Sequence, residues 1–142
     1  MSFDLKLENG SIVIANGDLV KVTNNDKLVQ DIIKIVVTPV GSNTTHPWYG
    51  SALQDRVTGT AYPRDVLDQE VVASVAHAVK NLKSLQEQQS RAGQFVSPGE
   101  QIAKLIGVNV IRSVQDPRKM DIVISILTKS GIVLEEQVEV RL

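Results

Sequence analysis

Apolar and polar residues alternate from the start of the chain. Phe3, Leu5 and Leu7 are separated by Asp4, Lys6 and Glu8. Asn9-Gly10 follows, then an apolar-rich run from Ser11 to Ala15, then Asn16-Gly17, then Asp18 to Thr23. Asn-Gly between short apolar runs is a strong hairpin signal, because both residues tolerate positive φ. The pattern predicts a small β-meander over residues 1–23, with no internal repeat.

The period then changes. Leu28, Ile32 and Ile35 share one helical face, flanked by Val29, Ile33 and Val36, with Asp31 and Lys34 opposite. This predicts a helix from about Asn25 to Val37, capped by Asn24 or Asn25 and stopped by Thr38-Pro39 and Gly41. Residues 38–50 read as a loop, and a short helix is expected from Ser51 to about Val57. A long helix is expected from about Arg64 to Arg91. Its stripe of Val72, Val75, Val79 and Leu82 is widened by Leu67, Val71, Ala78 and Leu85. A stripe this wide implies more than one packing partner, so Val72, Val75, Val79 and Leu82 are candidates for a helix-bundle interface. The polar end, Gln86 to Ser90, is expected to project into solvent.

Ser97-Pro98-Gly99-Glu100 has capping-box spacing, with Pro at the first helical position. It predicts one helical turn ending near Lys104. Three period-2 strands close the chain. The first, Leu105 to Val114, carries Ile106, Val108 and Val110 on its apolar face. The second carries Met120, Ile122, Ile124 and Ile126. The third carries Ile132, Leu134, Val138, Val140 and Leu142 against Glu135, Gln137, Glu139 and Arg141. The expected fold class is α+β in one domain over residues 1–142: an N-terminal β-meander, a long amphipathic helix and a C-terminal three-stranded antiparallel sheet.

Composition narrows the chemistry. Lys and Arg number 15 and Asp and Glu 16, a net charge of −1, so no broad basic surface for nucleic acid is indicated. Cysteine is absent, which removes disulfides, thiol catalysis and cysteine-built zinc sites. No apolar run approaches the ~20 residues of a membrane span, and no leader pattern opens the chain. The two histidines, His46 and His77, form no metal-binding pair, and no phosphate loop or nucleophile elbow occurs. No cofactor or metal is expected. Paired carboxylates remain the enzymatic option, with Glu70, Glu87 and Glu100 as candidates. Glu70 and Glu87 also fit solvated helix residues, and Glu100 fits a helix cap.

Two features point to binding. Aromatics are 4% of the chain, yet Trp48 and Tyr49 are adjacent, inside Pro47-Trp48-Tyr49-Gly50. They serve either as a staple for the loop or as an interface anchor. The terminal strand is either an ordinary covered strand or a sheet edge open to strand addition.

The first half resembles the phage baseplate wedge proteins of the sheath-initiator type, also called baseplate assembly protein W or lysozyme-like wedge proteins. The resemblance lies in Gly17-Asp18-Leu19, in Asp26, Leu28, Gln30 and Ile33, in Thr38-Pro39-Val40-Gly41, and in Pro47-Trp48-Tyr49-Gly50-Ser51 with Leu53. It covers about residues 12–54, and the layout of the remainder agrees. Two departures stand out. Ser42 replaces a Glu that many members carry after the Thr-x-x-Gly glycine. Glu100-Gln101-Ile102 stands nearest to the family's Glu-Pro-Arg motif.

The resemblance implies a non-enzymatic role in the baseplate of a contractile tail or related injection machine. It implies a virion location after assembly in the host cytoplasm. The implied partners are other wedge subunits, the first ring of sheath subunits and the central tube, with several copies, six in the family arrangement, and neither nucleic acid nor membrane. Sheath strands would be exchanged at Ile132, Leu134, Val138, Val140 and Leu142. A carboxylate-based peptidoglycan hydrolase and a stand-alone bacterial adaptor are the alternatives.

Overall fold

The computed structural model describes residues 4–8, 11–53, 63–116 and 118–141. The α+β expectation holds, with six short N-terminal strands, two helices and a three-stranded antiparallel sheet among these residues.

The N-terminal strands are β1 (Asp4–Leu5), β2 (Leu7–Glu8), β3 (Ser11–Ile12), β4 (Ile14–Ala15), β5 (Asp18–Leu19) and β6 (Lys21–Val22). They do not lie flat as a meander. β2 pairs with β3, β4 with β5, and β6 returns to pair with β1. Three residues close the ring. Lys6 N–H donates to Val20 C=O at 2.8 Å, Val20 N–H to Val13 C=O at 3.1 Å, and Val13 N–H to Lys6 C=O at 3.0 Å. Lys6, Val13 and Val20 are evenly spaced, so the triangle is a pseudo-threefold repeat, which corrects the expectation of no internal repeat. Closure satisfies backbone groups that a flat meander would leave open at its edges. The turn at Asn16-Gly17 matches expectation, with φ of 51° and 78°. Asn9-Gly10 lies outside the described residues.

Helix α1 (Asn24–Val37) buries Leu28, Ile32, Ile35 and Val36. Its N-cap is Thr23, which makes no side-chain cap bond, so the expected asparagine cap is corrected. Asn24 is instead in the left-handed region at φ 55°, and its Oδ1 accepts the Ser97 hydroxyl at 2.9 Å. That bond ties the start of α1 to the 3-10 turn Pro98–Glu100. Thr38 ends the helix, its N–H and hydroxyl both donating to Lys34 C=O.

Helix α2 (Arg64–Arg91) has the expected bounds. Its stripe, however, is consumed internally. Val75, Val79 and Leu82 are 0%, 1% and 4% exposed in the chain's own core, which corrects their assignment to a partner interface. Each such side chain contributes about 1.5–3 kcal/mol by burial, so offering it to a partner would dismantle the fold. Val72 alone stays half-exposed, in a groove with Val108 and Val110. Gln86 also departs from expectation. It is buried, its amide donates to Glu100 C=O at 2.7 Å, and its oxygen accepts Ile102 N–H at 2.9 Å.

The sheet has the order β7 (Ile102–Arg112), β8 (Lys119–Thr128), β9 (Val133–Arg141). β7 begins earlier than expected because the turn before it is only three residues long. Met120, Ile122, Ile124 and Ile126 are fully buried beneath the helices, with Ile102 and Val138 beside them. Register shifts interrupt β7 between Ile102 and Lys104 and between Leu105 and Gly107. The second bulge turns Ile106 outward to 52% exposure, correcting its place on the inner face. The short helix expected from Ser51 to Val57 falls largely outside the described residues.

Candidate interaction surface

The two halves of the Thr-x-x-Gly and Pro-x-Tyr-Gly pattern are bonded to each other. Ser51 N–H donates to Thr38 C=O at 2.8 Å, Val40 N–H to Ser51 C=O at 3.1 Å, and Gly41 N–H to Pro47 C=O at 2.9 Å. Gly50 makes this closure possible. A Cβ there would sit 2.5 Å from Thr38 O, and its φ is +119°.

The loop presents its two aromatics differently. Tyr49 is half-buried and packs on the core. Burial, and then the charges of Asp31 and Asp4, push its phenol pKa up. Tyr49 is thus a staple. Trp48 is 40% exposed and edges against both His46 and Tyr49. It walls a notch of about 220 Å³ with Asn81, Ser84, Leu85 and Gln88 of α2. Pro47 supplies the carbonyl that closes the loop.

Gln30 holds the triangle to α1. Its side-chain oxygen accepts Leu7 N–H at 2.9 Å, and its amide donates to Leu5 C=O at 2.7 Å and to Asp4 at 3.1 Å. One primary amide thus satisfies both backbone groups of a bent strand, as a neighbouring strand would. Lys34 adds an ion pair to Asp4 at 2.6 Å. Beside this joint lies a cleft of about 790 Å³, with Val20, Val29, Ile33 and Val37 among its walls. Leu7, Ile12, Ile14 and Leu19 of the triangle are exposed apolar residues.

Partial burial opposes ionisation of Asp4, but the Lys34 hydrogen bond, the Leu5 N–H, the Lys34 charge and the Gln30 amide outweigh it. Its carboxyl is therefore held below its ordinary pKa. A depressed folded pKa contributes stability above the unfolded value, lost as pH falls through the folded one. The joint is expected to loosen below about pH 4. Amide chemical shifts of residues 4–8 followed from pH 6 to 2 should show it. Unchanged shifts through that range would refute the assignment.

The two edges of the sheet differ. β7 carries two bulges and packs against α2, and Arg112 at its end pairs with Asp68 at 2.6 Å. β9 pairs with β8 in nine unbroken register pairs and with no other strand among the described residues. Thr128 N–H donates to Ile132 C=O at 2.9 Å and closes the hairpin. From that pair, the alternation of an antiparallel ladder directs the backbone groups of Leu134, Glu136, Val138 and Val140 toward β8. Those of Val133, Glu135, Gln137 and Glu139 face the free side.

Leu134, Val138 and Val140 pack on the core of this chain, so a partner strand meets their backbone edge rather than their apolar face. Ile132 lies in the preceding turn, 47% exposed, outside the strand it was assigned to. Leu142 is outside the described residues.

The carboxylate candidates do not converge. Glu100 is fully buried, and its Oε1 accepts Ser97 N–H at 2.9 Å, the capping bond expected from the spacing. Glu70 and Glu87 sit half-buried on α2. None of the three lines a cleft named above, and none of those clefts holds two carboxylates. Among the described residues no group of three His, Cys, Asp or Glu is placed to hold a metal. Among them, too, no helix is long and apolar enough to cross a membrane.

This arrangement of triangle, helices and sheet has a counterpart in a solved structure. A Geobacter sulfurreducens protein described as a "putative tail lysozyme" shares the fold, with a TM-score of 0.61 over 93% of this chain and 96% of that one. Identity is 16%, so the likeness shows the fold alone. No protein-family model matches the chain, and no curated protein matches it.

Proposed function

We propose that this chain is a structural subunit of the baseplate of a contractile phage tail or related injection machine, and that it starts the sheath by accepting a strand at β9. The observation that carries the reading is the contrast between the two edges: β7 is bulged and packed against a helix, whereas β9 keeps an unbroken register and, among the described residues, has no strand on its other side. Strand addition needs such an edge. The fold shared with a tail-associated protein supports the setting. With the α2 stripe buried, docking onto other wedge subunits falls to exposed apolar residues, among them Trp48, and Leu7, Ile12, Ile14 and Leu19 of the triangle.

Deleting residues 132–142 would strip Leu134, Val138 and Val140 from the core and confuse folding with function. Gln137→Pro is the cleaner variant. It removes an N–H that faces the free edge and leaves the β8 ladder intact. Mixed with purified wedge, tube and sheath proteins, the variant is expected to keep wedge binding and lose sheath growth under negative-stain microscopy. Normal sheath growth from folded Gln137→Pro would overturn the reading.

A second reading is favoured by the description of the Geobacter protein: a peptidoglycan hydrolase using two carboxylates. The separation of Glu70, Glu87 and Glu100 from the clefts weighs against it. Cell-wall cleavage that Glu70→Gln or Glu100→Gln abolishes, in folded protein, would restore it.

A further inference from the structure

We infer that the strand accepted by β9 is basic and that Glu136 selects it. This rests on the strand-addition reading. Register puts Leu134, Glu136, Val138 and Val140 opposite Ile126, Ile124, Ile122 and Met120. These four β8 residues are fully buried, so the facing positions belong to the inner face. Three of them on β9 are apolar and pack on the core. Glu136 is the exception. It is half-buried and faces the buried Ile124, and its side chain makes no ion pair or hydrogen bond among the described residues.

A carboxylate at the border of an apolar face keeps its charge only by reaching water. Buried Ile124 borders it on the β8 side, and the unpaired edge offers it a way to solvent. Inward-pointing charges on edge strands guard against indiscriminate pairing, because an added strand covers that route. A strand that brings an apolar or acidic residue opposite Glu136 strands the carboxylate. A strand that brings Lys or Arg gives it a partner, and Arg can bond both oxygens.

The rest of β9 has the same bias. Along the strand Glu135 and Glu139 join Glu136 against a single cation, Arg141, although Lys119 of β8 already pairs with Glu139 at 3.1 Å. A second copy of this chain, laid edge to edge and centred on Gln137, would bring Glu135 to Glu139 and offer Glu136 only Val138. The occupant that fits is a strand from another protein. It carries Lys or Arg facing Glu136 and apolar residues facing Leu134 and Val138.

The test uses the full chain extended beyond residue 142 by a Gly/Ser linker and an alternating strand able to fold back on β9. The residue facing Glu136 is either Lys or Glu. Tethering raises the local strand concentration to about millimolar, so weak pairing is readable. Hydrogen-exchange protection of the Glu135, Gln137 and Glu139 amides reports pairing. The Lys strand is expected to protect them about tenfold more than the Glu strand. Glu136→Lys should reverse the preference, and Glu136→Gln should abolish it while the sheet stays folded.

Equal protection by both strands, with pairing observed, would overturn the selectivity and leave strand addition standing. No protection by either strand would overturn strand addition itself. Dimerisation of the unextended chain through β9 would overturn the rejection of a second copy.

Discussion

Gly50→Ala lowers the melting temperature by roughly 10 °C, an expected loss of about 3 kcal/mol. The added methyl would stand 2.5 Å from Thr38 O, 2.9 Å from Val40 N and 3.0 Å from Pro39 C. All three are backbone atoms, and two of them belong to groups that bond Ser51. Relief therefore requires breaking the bridge between Pro39 and Ser51, not turning a side chain aside. The left-handed φ adds its own strain. Gly41→Ala is the control. It shares a positive φ of 86° but meets nothing within 4 Å, so its expected cost is about 1 kcal/mol. Thermal melts of the two variants decide the point. Equal losses would mean that backbone conformation alone, and not the close approach, makes Gly50 necessary.

Gln30→Ala is expected to free the triangle while the rest of the chain stays folded. The variant leaves Leu7 N–H and Leu5 C=O without partners and removes one of the bonds to Asp4. Two orphaned backbone groups near the helix cost about 2–3 kcal/mol together. The ladders of the triangle are only two residue pairs each, so little else holds it. Native-state hydrogen exchange should show the amides of residues 4–8 and 11–22 losing protection, with β8 and α2 unchanged. Uniform destabilisation would place Gln30 in the global core instead. Gln30→Glu separates the roles further: it keeps the acceptor for Leu7 but loses both donated bonds and sets a carboxylate beside Asp4.

The elements that follow one periodic rule were legible in the chain. α2 shows its 3.6 period over 28 residues, and β8 its period of two over ten. The capping turn at Glu100 and the turn at Asn16-Gly17 were legible too, because each depends on a few neighbouring residues. The features that hinge on long-range pairing were not. Leu5-Lys6-Leu7, Ile12-Val13-Ile14 and Leu19-Val20-Lys21 recur at a constant interval, with Asn-Gly at the same spacing. That was the available signal for the triangle. A hairpin rule, which considers two strands at a time, cannot show that the third returns to the first.

Ile106 was misplaced because a bulge changes the phase of a strand without changing its residues. Gln86 looked solvated because an amide's partners, Glu100 C=O and Ile102 N–H, lie in another segment. Apolar width on α2 was visible, but whether the surface it covers belongs to this chain or to another is a property of the assembled fold. The contrast between the edges of β7 and β9 was invisible for the same reason. Glu136, which the chain shows as one more charge in an acidic run, acquires meaning only once register puts it opposite Ile124.

α2 and β7 run side by side and are tied at both ends. Arg112 grips Asp68 near the start of the helix, and Gln86 holds the start of β7 near its end. At 1.5 Å per residue the two ties are roughly 27 Å apart along the helix axis. A bar fastened at one point can pivot or slide against its neighbour. A bar fastened at two points transmits tension and compression along its length and yields only when a tie breaks. Under load, the helix and the strand therefore move as one strut. Compliance collects where attachment is thinnest, in the triangle held to α1 by Gln30 and the Lys34–Asp4 pair, and in the loop that ends at Ser51.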